Sequence, residues 1–206
     1  MGARSQPGVK PFKLHTLTPP SWVAMVELDV PALLSDHAHC ELKAASTAQA
    51  LILKYRTNTT LVAELSEMAA EEMEHFRQAV QLMHARGGTL GPVETNVYAE
   101  RLLKLSGPSR KEVLLDRLLI ASLIELRSLE RFQLLADGLA DAELRTVYRE
   151  LMPCEAGHQA LFDRLARSLF DPELVAARQQ ELFEIEGRCA HEAPPGPRMH
   201  AGWATL

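Results

Sequence analysis

The chain has 206 residues, of which 47 % are hydrophobic and 24 % charged, and a formal net charge of -5. This composition excludes disorder as the main state, and the charge excludes a generally basic nucleic-acid coat while leaving room for a local basic patch. No apolar run approaches the roughly 18 residues of a membrane span, the basic first residues lack the apolar stretch of a secretory signal, and the 3 cysteines without CxxC argue against a disulfide framework, so a cytoplasmic protein with no membrane partner is expected.

Residues 1–20 read as an N-terminal arm rich in proline and glycine. Ser21 caps a short helix ending near Asp29, and Pro31 suits the first turn of a helix running to about Arg56. Thr57-Asn58-Thr59-Thr60 combine turn and N-cap residues. The helix that follows runs to about Ala85, where Gly87-Gly88 stop it. Residues 86–110 make a long connection with a short helix near 96–104. Pro108-Ser109 open a helix from about Arg110 to Ala136, ended by Gly138. Asp141 opens another to about Leu169, and Asp171-Pro172 start a last one to about Ala190. Residues 191–206 form an irregular tail, so the bundle itself is placed at 21–190.

Four of these helices carry apolar stripes at 3/4 spacing, which pack as a helix bundle. Each stripe is interrupted near its middle by a glutamate. The stripes are Leu34, Ala38, Glu41, Ala45, Ala48, Ile52; then Leu61, Leu65, Met68, Glu72, His75, Ala79, Leu82; then Leu114, Leu118, Ala121, Glu125, Ser128, Phe132, Leu135; then Leu144, Tyr148, Leu151, Glu155, His158, Phe162, Leu165, Leu169. A buried, unpaired carboxylate is expensive, so four of them need a common cause. His75 follows Glu72, and His158 follows Glu155, at i+3, which puts each pair on one helix face. Glu41, Glu72, His75, Glu125, Glu155 and His158 are the donor set of a dinuclear carboxylate site in a bundle.

The heights agree. Glu41 and Glu72 each lie about 15 residues from the turn between their helices, roughly 23 Å along each leg. Residues 86–110 are too long for a hairpin and suit the single long crossover of a ferritin-like bundle. The fold class expected is all-α, a ferritin-like four-helix bundle with one long crossover and an additional C-terminal helix. Carboxylates with one imidazole per ion suit iron or manganese better than zinc or copper, and iron is favoured for activating oxygen.

The stretches DHAHCELKAAST (36–47), EEMEHF (71–76), ASLIELRSLERF (121–132), CEAGHQ (154–159) and PRMHAGWA (197–204) resemble the tRNA 2-methylthio-N6-isopentenyl-adenosine hydroxylases, the MiaE family. The resemblance spans roughly residues 20 to 204. It implies a non-haem di-iron monooxygenase that hydroxylates the isopentenyl group on the modified adenosine beside the tRNA anticodon, using O2 and two electrons from a reductase. Carried over residue by residue, the family's ligands fall on the same six side chains. By analogy with other di-iron bundles, Glu72 and Glu155 bridge the ions while Glu41 and Glu125 are terminal. The arm, the crossover and residues 170–192 show no such likeness.

Other residues read as follows. Cys40 and Cys154 are packing residues, His37 and His39 exposed or boundary residues, and Glu67, Glu71 and Glu74 a solvated acidic face. Tyr148 is core, and Ser128 either hydrogen-bonds a group behind the ligands or is simply small. Lys104, Arg110 and Lys111, near the crossover, are candidates for contact with RNA phosphates, as are Lys10 and Lys13 of the arm. Two rival functions are a ferritin-like iron-binding bundle and a di-iron oxidase or peroxidase acting on a small molecule. A monomer or small homo-oligomer is expected rather than a cage.

Overall fold

A computed structural model describes residues 14–106 and 113–203. Among these residues the secondary structure is helical: α1 (Ser21–Val26), a 3-10 turn (Glu27–Asp29), α2 (Val30–Lys54), α3 (Thr59–Ala85), α4 (Val97–Ser106), α5 (Val113–Gly138), α6 (Ala142–Leu169) and α7 (Pro172–His191). The all-α, ferritin-like expectation is met. The start expected for the third long helix, Pro108-Ser109 and Arg110, lies outside the described residues.

The helix ends have local causes. The carboxylate of Asp29 accepts from the Ala32 amide, the side chain of Asn58 from Leu61, and those of Asp141 and Asp171 from the second and third helical amides of α6 and α7. Ser21 does not cap α1; it is the first helical residue, and Pro20 occupies the capping position without a side-chain bond. α3 ends in a turn where Gly87 adopts φ 76°, a conformation only glycine takes without strain. Gly88 then returns its amide to the Met83 carbonyl at 3.0 Å. A Cβ on Gly88 would lie 2.8 Å from both Met83 and Pro31, so the start of α2 and the end of α3 meet closely only over glycine.

α2 packs on α3 and α5 on α6, and the two antiparallel pairs form the bundle. Buried residues at the expected stripe positions fill its two ends: Leu61, Leu65, Leu118 and Phe162 toward one, Leu34, Phe132, Leu135 and Leu144 toward the other. Ile52 departs from its stripe and is half-buried, while Leu51 takes the buried place. The ring of carboxylates lies between the two clusters.

The crossover and the tail are tied to the bundle by polar contacts. The Gly91 amide donates to Ser35 Oγ at 3.0 Å, and Lys43 Nζ to the Glu94 carbonyl at 2.7 Å. Across α4, α5 and α7, buried Arg127 forms two parallel 2.8 Å bonds to Glu186, which also accepts from Tyr98 Oη at 2.9 Å. In the tail, the Met199 amide donates to Asp36 at 2.8 Å and Arg131 donates to the Ala201 carbonyl at 3.0 Å. The Arg131 guanidinium lies 4.1 Å from the Trp22 ring and 5.2 Å from the Trp203 ring, joining α1, α5 and the tail.

Candidate metal centre

The midpoints of α2, α3, α5 and α6 face one another across the bundle axis. Helical spacing fixes what each contributes: Glu41 from α2, Glu72 and His75 from α3, Glu125 from α5, and Glu155 and His158 from α6. The glutamates and His158 are buried, Glu72 completely, and His75 is nearly so. The structure therefore brings all six sequence-picked side chains together.

Their donor atoms fall into two groups. Glu41, Glu72, His75 and Glu155 make one, and Glu72, Glu125 and His158 the other, with the atoms of each group within 4.8 Å of one another. A shell with bonds of about 2.1 Å spans at most about 4.2 Å, so little contraction is needed to close either group on an ion. Glu72 belongs to both groups, as a carboxylate between two ions must. Glu155 belongs to the first and contacts Glu125 of the second.

Two further observations fit a metal. His75 Nδ1 lies 3.7 Å from both Glu72 Oε2 and Glu155 Oε1, and His158 Nδ1 lies 2.8 Å from Glu72 Oε1. Yet Glu72 Oε1 and Oε2, His75 Nδ1, Glu155 Oε1 and His158 Nδ1 have no aligned hydrogen-bond partner, although all are buried. Buried polar atoms are normally satisfied. Unsatisfied atoms aimed at a common point are a donor set that fits a cation.

The electrostatics agree. Burial, reinforced by the neighbouring carboxylates, pushes the Glu41 and Glu155 carboxyls well above the usual range, and burial with the charge of Glu72 takes Glu125 up to about 8. Glu72 goes the other way: burial opposes its charge, but close contacts with Glu41, His158 and His75 hold it below the usual range. Burial would lower both ligand imidazoles, but contacts with Cys154 and Glu72 outweigh it and raise His75 to about 9 and His158 to about 12. A site that retains protons to balance its own charge is one where divalent ions can replace them.

The surroundings correct several sequence expectations. His37 and His39 are buried, not at the boundary. His37 Nε2 lies 2.6 Å from Glu41 Oε1, and His39 Nε2 contacts the Gly91 carbonyl at 2.9 Å. The i, i+4 spacing of His37 and Glu41 was the available signal. Glu71 is solvent-exposed as expected, yet its Oε2 lies 2.8 Å from His158 Nε2 and so orients a ligand ring. Cys154 does more than pack: its Sγ lies 3.5 Å from His158 Nε2, and His158 and His75 hold the thiol below its usual range. Cys40 packs at the edge of the core beside Asp36 and His200, and burial raises its thiol. Tyr148 is core, its ring tilted against those of His37 and Phe132.

Ser128 Oγ sits 3.4 Å from Nε2 of His200, a tail residue that helical periodicity could not have placed. His200 stacks on Tyr98 and its Nδ1 lies 3.0 Å from Asn96 Nδ2. Burial lowers both His37 and His200 to about 3, so both rings are neutral.

A cavity of about 780 Å³ opens between α2 and α5 and reaches Glu41, Glu125 and Glu155. Its inner wall includes Met68, Ile120, Ala121, Phe132 and Phe162, and its polar side includes Asn96, Ser128 and His200. Lys43, Lys54 and Arg117, which are partly or fully exposed, line it toward solvent. Lys104 is 71 % exposed and pairs at 2.6 Å with Glu100, another lining residue. Lys10, Lys13, Arg110 and Lys111 lie outside the described residues. No described helix is long and apolar enough to cross a membrane.

A profile of the family described as tRNA-(MS2IO6A)-hydroxylase (MiaE) matches residues 8–201. A tRNA 2-(methylsulfanyl)-N(6)-isopentenyladenosine(37) hydroxylase from Pseudomonas putida is 39 % identical over 174 residues, covering 81 % of this chain and 84 % of the relative. One of the same description from Salmonella typhimurium is 27 % identical over 238 residues, covering 92 % and 87 %. Among solved structures, a protein with aldehyde deformylating oxygenase activity from Synechococcus superposes with a TM-score of 0.86 at 36 % identity, covering 92 % of this chain and 96 % of that one.

Proposed function

Since the chain belongs to the tRNA-(MS2IO6A)-hydroxylase (MiaE) family, we propose that it hydroxylates the isopentenyl group of 2-methylthio-N6-isopentenyl-adenosine beside the tRNA anticodon, at two iron ions held by Glu41, Glu72, His75, Glu125, Glu155 and His158. One observation carries this reading: four carboxylates and two imidazoles from four helices converge at the inner end of a cavity of about 780 Å³. Iron bound there would supply the activation of O2, one oxygen atom going to carbon and the other to water, with two electrons from a partner reductase and two protons.

The chain's own residues do the rest. The apolar wall around Met68, Ala121 and Phe162 keeps water from the reacting carbon and suits a branched hydrocarbon arm. Asn96, Ser128 and His200 are hydrogen-bonding groups for a base edge on the opposite side. The net charge of -5 gives no diffuse attraction for RNA, so phosphate contact falls to a local rim of Lys43, Lys54, Arg117 and Lys104, with Arg110 and Lys111 as further candidates from the sequence. The enzyme acts as a monomer or small homo-oligomer.

The test is mass spectrometry of nucleosides after incubating the iron-loaded protein with 2-methylthio-isopentenylated tRNA, O2 and a reductant. The modified adenosine should gain one oxygen atom. The likeness to a protein with aldehyde deformylating oxygenase activity favours a second reading, oxidation of a small molecule in the same cavity. Unchanged tRNA alongside consumption of an aldehyde would replace the first reading with the second.

A further inference from the structure

On the side of α3 and α6 away from the cavity, the outer nitrogen of His158 meets a second set of donors. Cys154 comes from one turn earlier on α6 and Glu71 from α3. Cys154 Sγ lies 3.5 Å from His158 Nε2 and 3.6 Å from Glu71 Oε2, and Nε2 lies 2.8 Å from Oε2. A tetrahedral ion with bonds of about 2.3 Å to sulfur and about 2.0 Å to nitrogen and oxygen holds its sulfur about 3.5 Å from each of the other two. Two edges of the triangle already have that length. The third is the direct 2.8 Å contact between Nε2 and Oε2, and it needs to open by roughly half an ångström to admit an ion between them. The approach is open: Glu71 is 55 % exposed, Cys154 is partly exposed, and a Cβ on Gly157, beside His158, would meet nothing within 4 Å.

We propose that Glu71, Cys154 and His158 form a capture site for one thiophilic divalent ion on its way to the buried centre. The proposal rests on the reading of the six inner ligands as a dinuclear site. Capture releases the thiol proton and the proton between Nε2 and Glu71 to solvent. His158 turns Nε2 outward and Nδ1 inward, so the path between the two sites is one imidazole wide. An ion on Nδ1 would leave Nε2 to its 2.8 Å hydrogen bond with Glu71, which closes the outer triad. The outer site therefore fills first and empties as the centre fills.

The experiment is a stopped-flow titration of metal-free protein with Co2+, whose bond to thiolate gives a charge-transfer band in the near ultraviolet. The first equivalent should raise that band in the unaltered protein, and further equivalents should diminish it as the carboxylate centre fills. Cys154→Ser should lack the band and take up iron roughly tenfold more slowly, yet reach the same final content. Glu71→Gln, which keeps the side-chain shape, should also slow uptake. Absence of the band in the unaltered protein, or iron uptake by Cys154→Ser at the unaltered rate, overturns the proposal. Two ions bound with no band would leave the dinuclear reading standing and remove the capture site. A lasting band with one ion per chain would show an ion held at the triad without transfer, and would overturn both the capture role and the dinuclear reading.

Discussion

His37 and Glu41 stand one turn apart on α2, and the ring nitrogen of the first lies 2.6 Å from the carboxyl oxygen of the second. His37 is walled in by Phe132 and Tyr148, with ring centroids 5.1 and 5.5 Å away, so it cannot turn aside. A neutral, immobile imidazole behind a ligand carboxylate fixes how that carboxylate presents itself to an ion. Replacing it with phenylalanine keeps the volume and removes the nitrogen. His37→Phe should bind its metal about 10- to 100-fold more weakly, as measured by competition with a chelator, with near-normal helical content. Unchanged affinity would reduce His37 to packing.

Glu72 sits in both donor groups and Glu41 in one. The consequence is a difference in stoichiometry between two substitutions of the same chemistry. Glu72→Ala should lose most of both ions, whereas Glu41→Ala should retain one; Glu155 sits in one group but contacts Glu125 of the other, so Glu155→Ala should behave like Glu72→Ala. Iron content per chain, measured after loading and desalting, decides it. Full occupancy in Glu72→Ala would reject this ligand set.

The convergence of the six side chains was readable from sequence because it is written in helical spacing: a glutamate at the midpoint of four apolar stripes, two followed by histidine at i+3, and legs of roughly matched length. The groups around it were readable only where they share that spacing. His37 with Glu41, and Cys154 with His158, are i, i+4 pairs that one-residue-at-a-time reading assigned to boundary and packing. Glu71 touches His158 across two helices, which no local pattern encodes. His200 and Asn96 arrive from segments without periodicity, placed by Arg131, Asp36 and the stacking of Tyr98 on His200. The cavity mouth was not legible either, because Lys43, Lys54 and Arg117 become neighbours only when α2 and α5 leave a gap.

The metal-free protein should be less stable as pH rises. Folding takes Glu125 from 4.5 up to about 8 and His75 from 6.5 up to about 9, and His158 and the other raised carboxyls act in the same direction. The folded state then holds more protons than the unfolded state across that window, and stability falls with pH wherever this is so. Glu72, held below its usual range, has the opposite sign, its contribution being lost only below about its unfolded value of 4.5, and so do the buried His37 and His200, lowered from 6.5 to about 3, which oppose the trend below 6.5 but are outnumbered by the raised groups. Metal replaces the retained protons, so its stabilisation grows with pH. Melting curves at about pH 5.5 and 8.5 should show the gap between loaded and metal-free protein widening at the higher pH. A constant gap would mean that the carboxyls are ionised without metal.

Arg127 and Glu186 form a wholly buried bidentate pair that joins α5 to α7, with Tyr98 of α4 as a third member. Arg127→Met strands a buried carboxylate and should cost about 3 to 5 kcal/mol in chemical denaturation. Adding Glu186→Leu removes the stranded charge and should restore much of that loss. Equal stability of the single and double variants would show that the carboxylate finds another partner or water.

The rim should be measurable separately from the chemistry. Lys54 and Arg117 line the cavity toward solvent, away from the buried ligands. Each phosphate contact made by such a cation contributes close to one unit to the slope of log affinity against log salt. Lys54→Glu and Arg117→Glu should each raise KM for tRNA and lower that slope by about one. Iron content and peroxide-driven oxidation of a small test compound should stay close to those of the unaltered chain. Lys104→Glu should have a smaller effect, because Lys104 already shares its charge with Glu100. Unchanged tRNA affinity in all three variants would move the RNA contact away from this mouth. A loss of peroxide-driven oxidation would mean instead that the substitutions disturb the cavity wall.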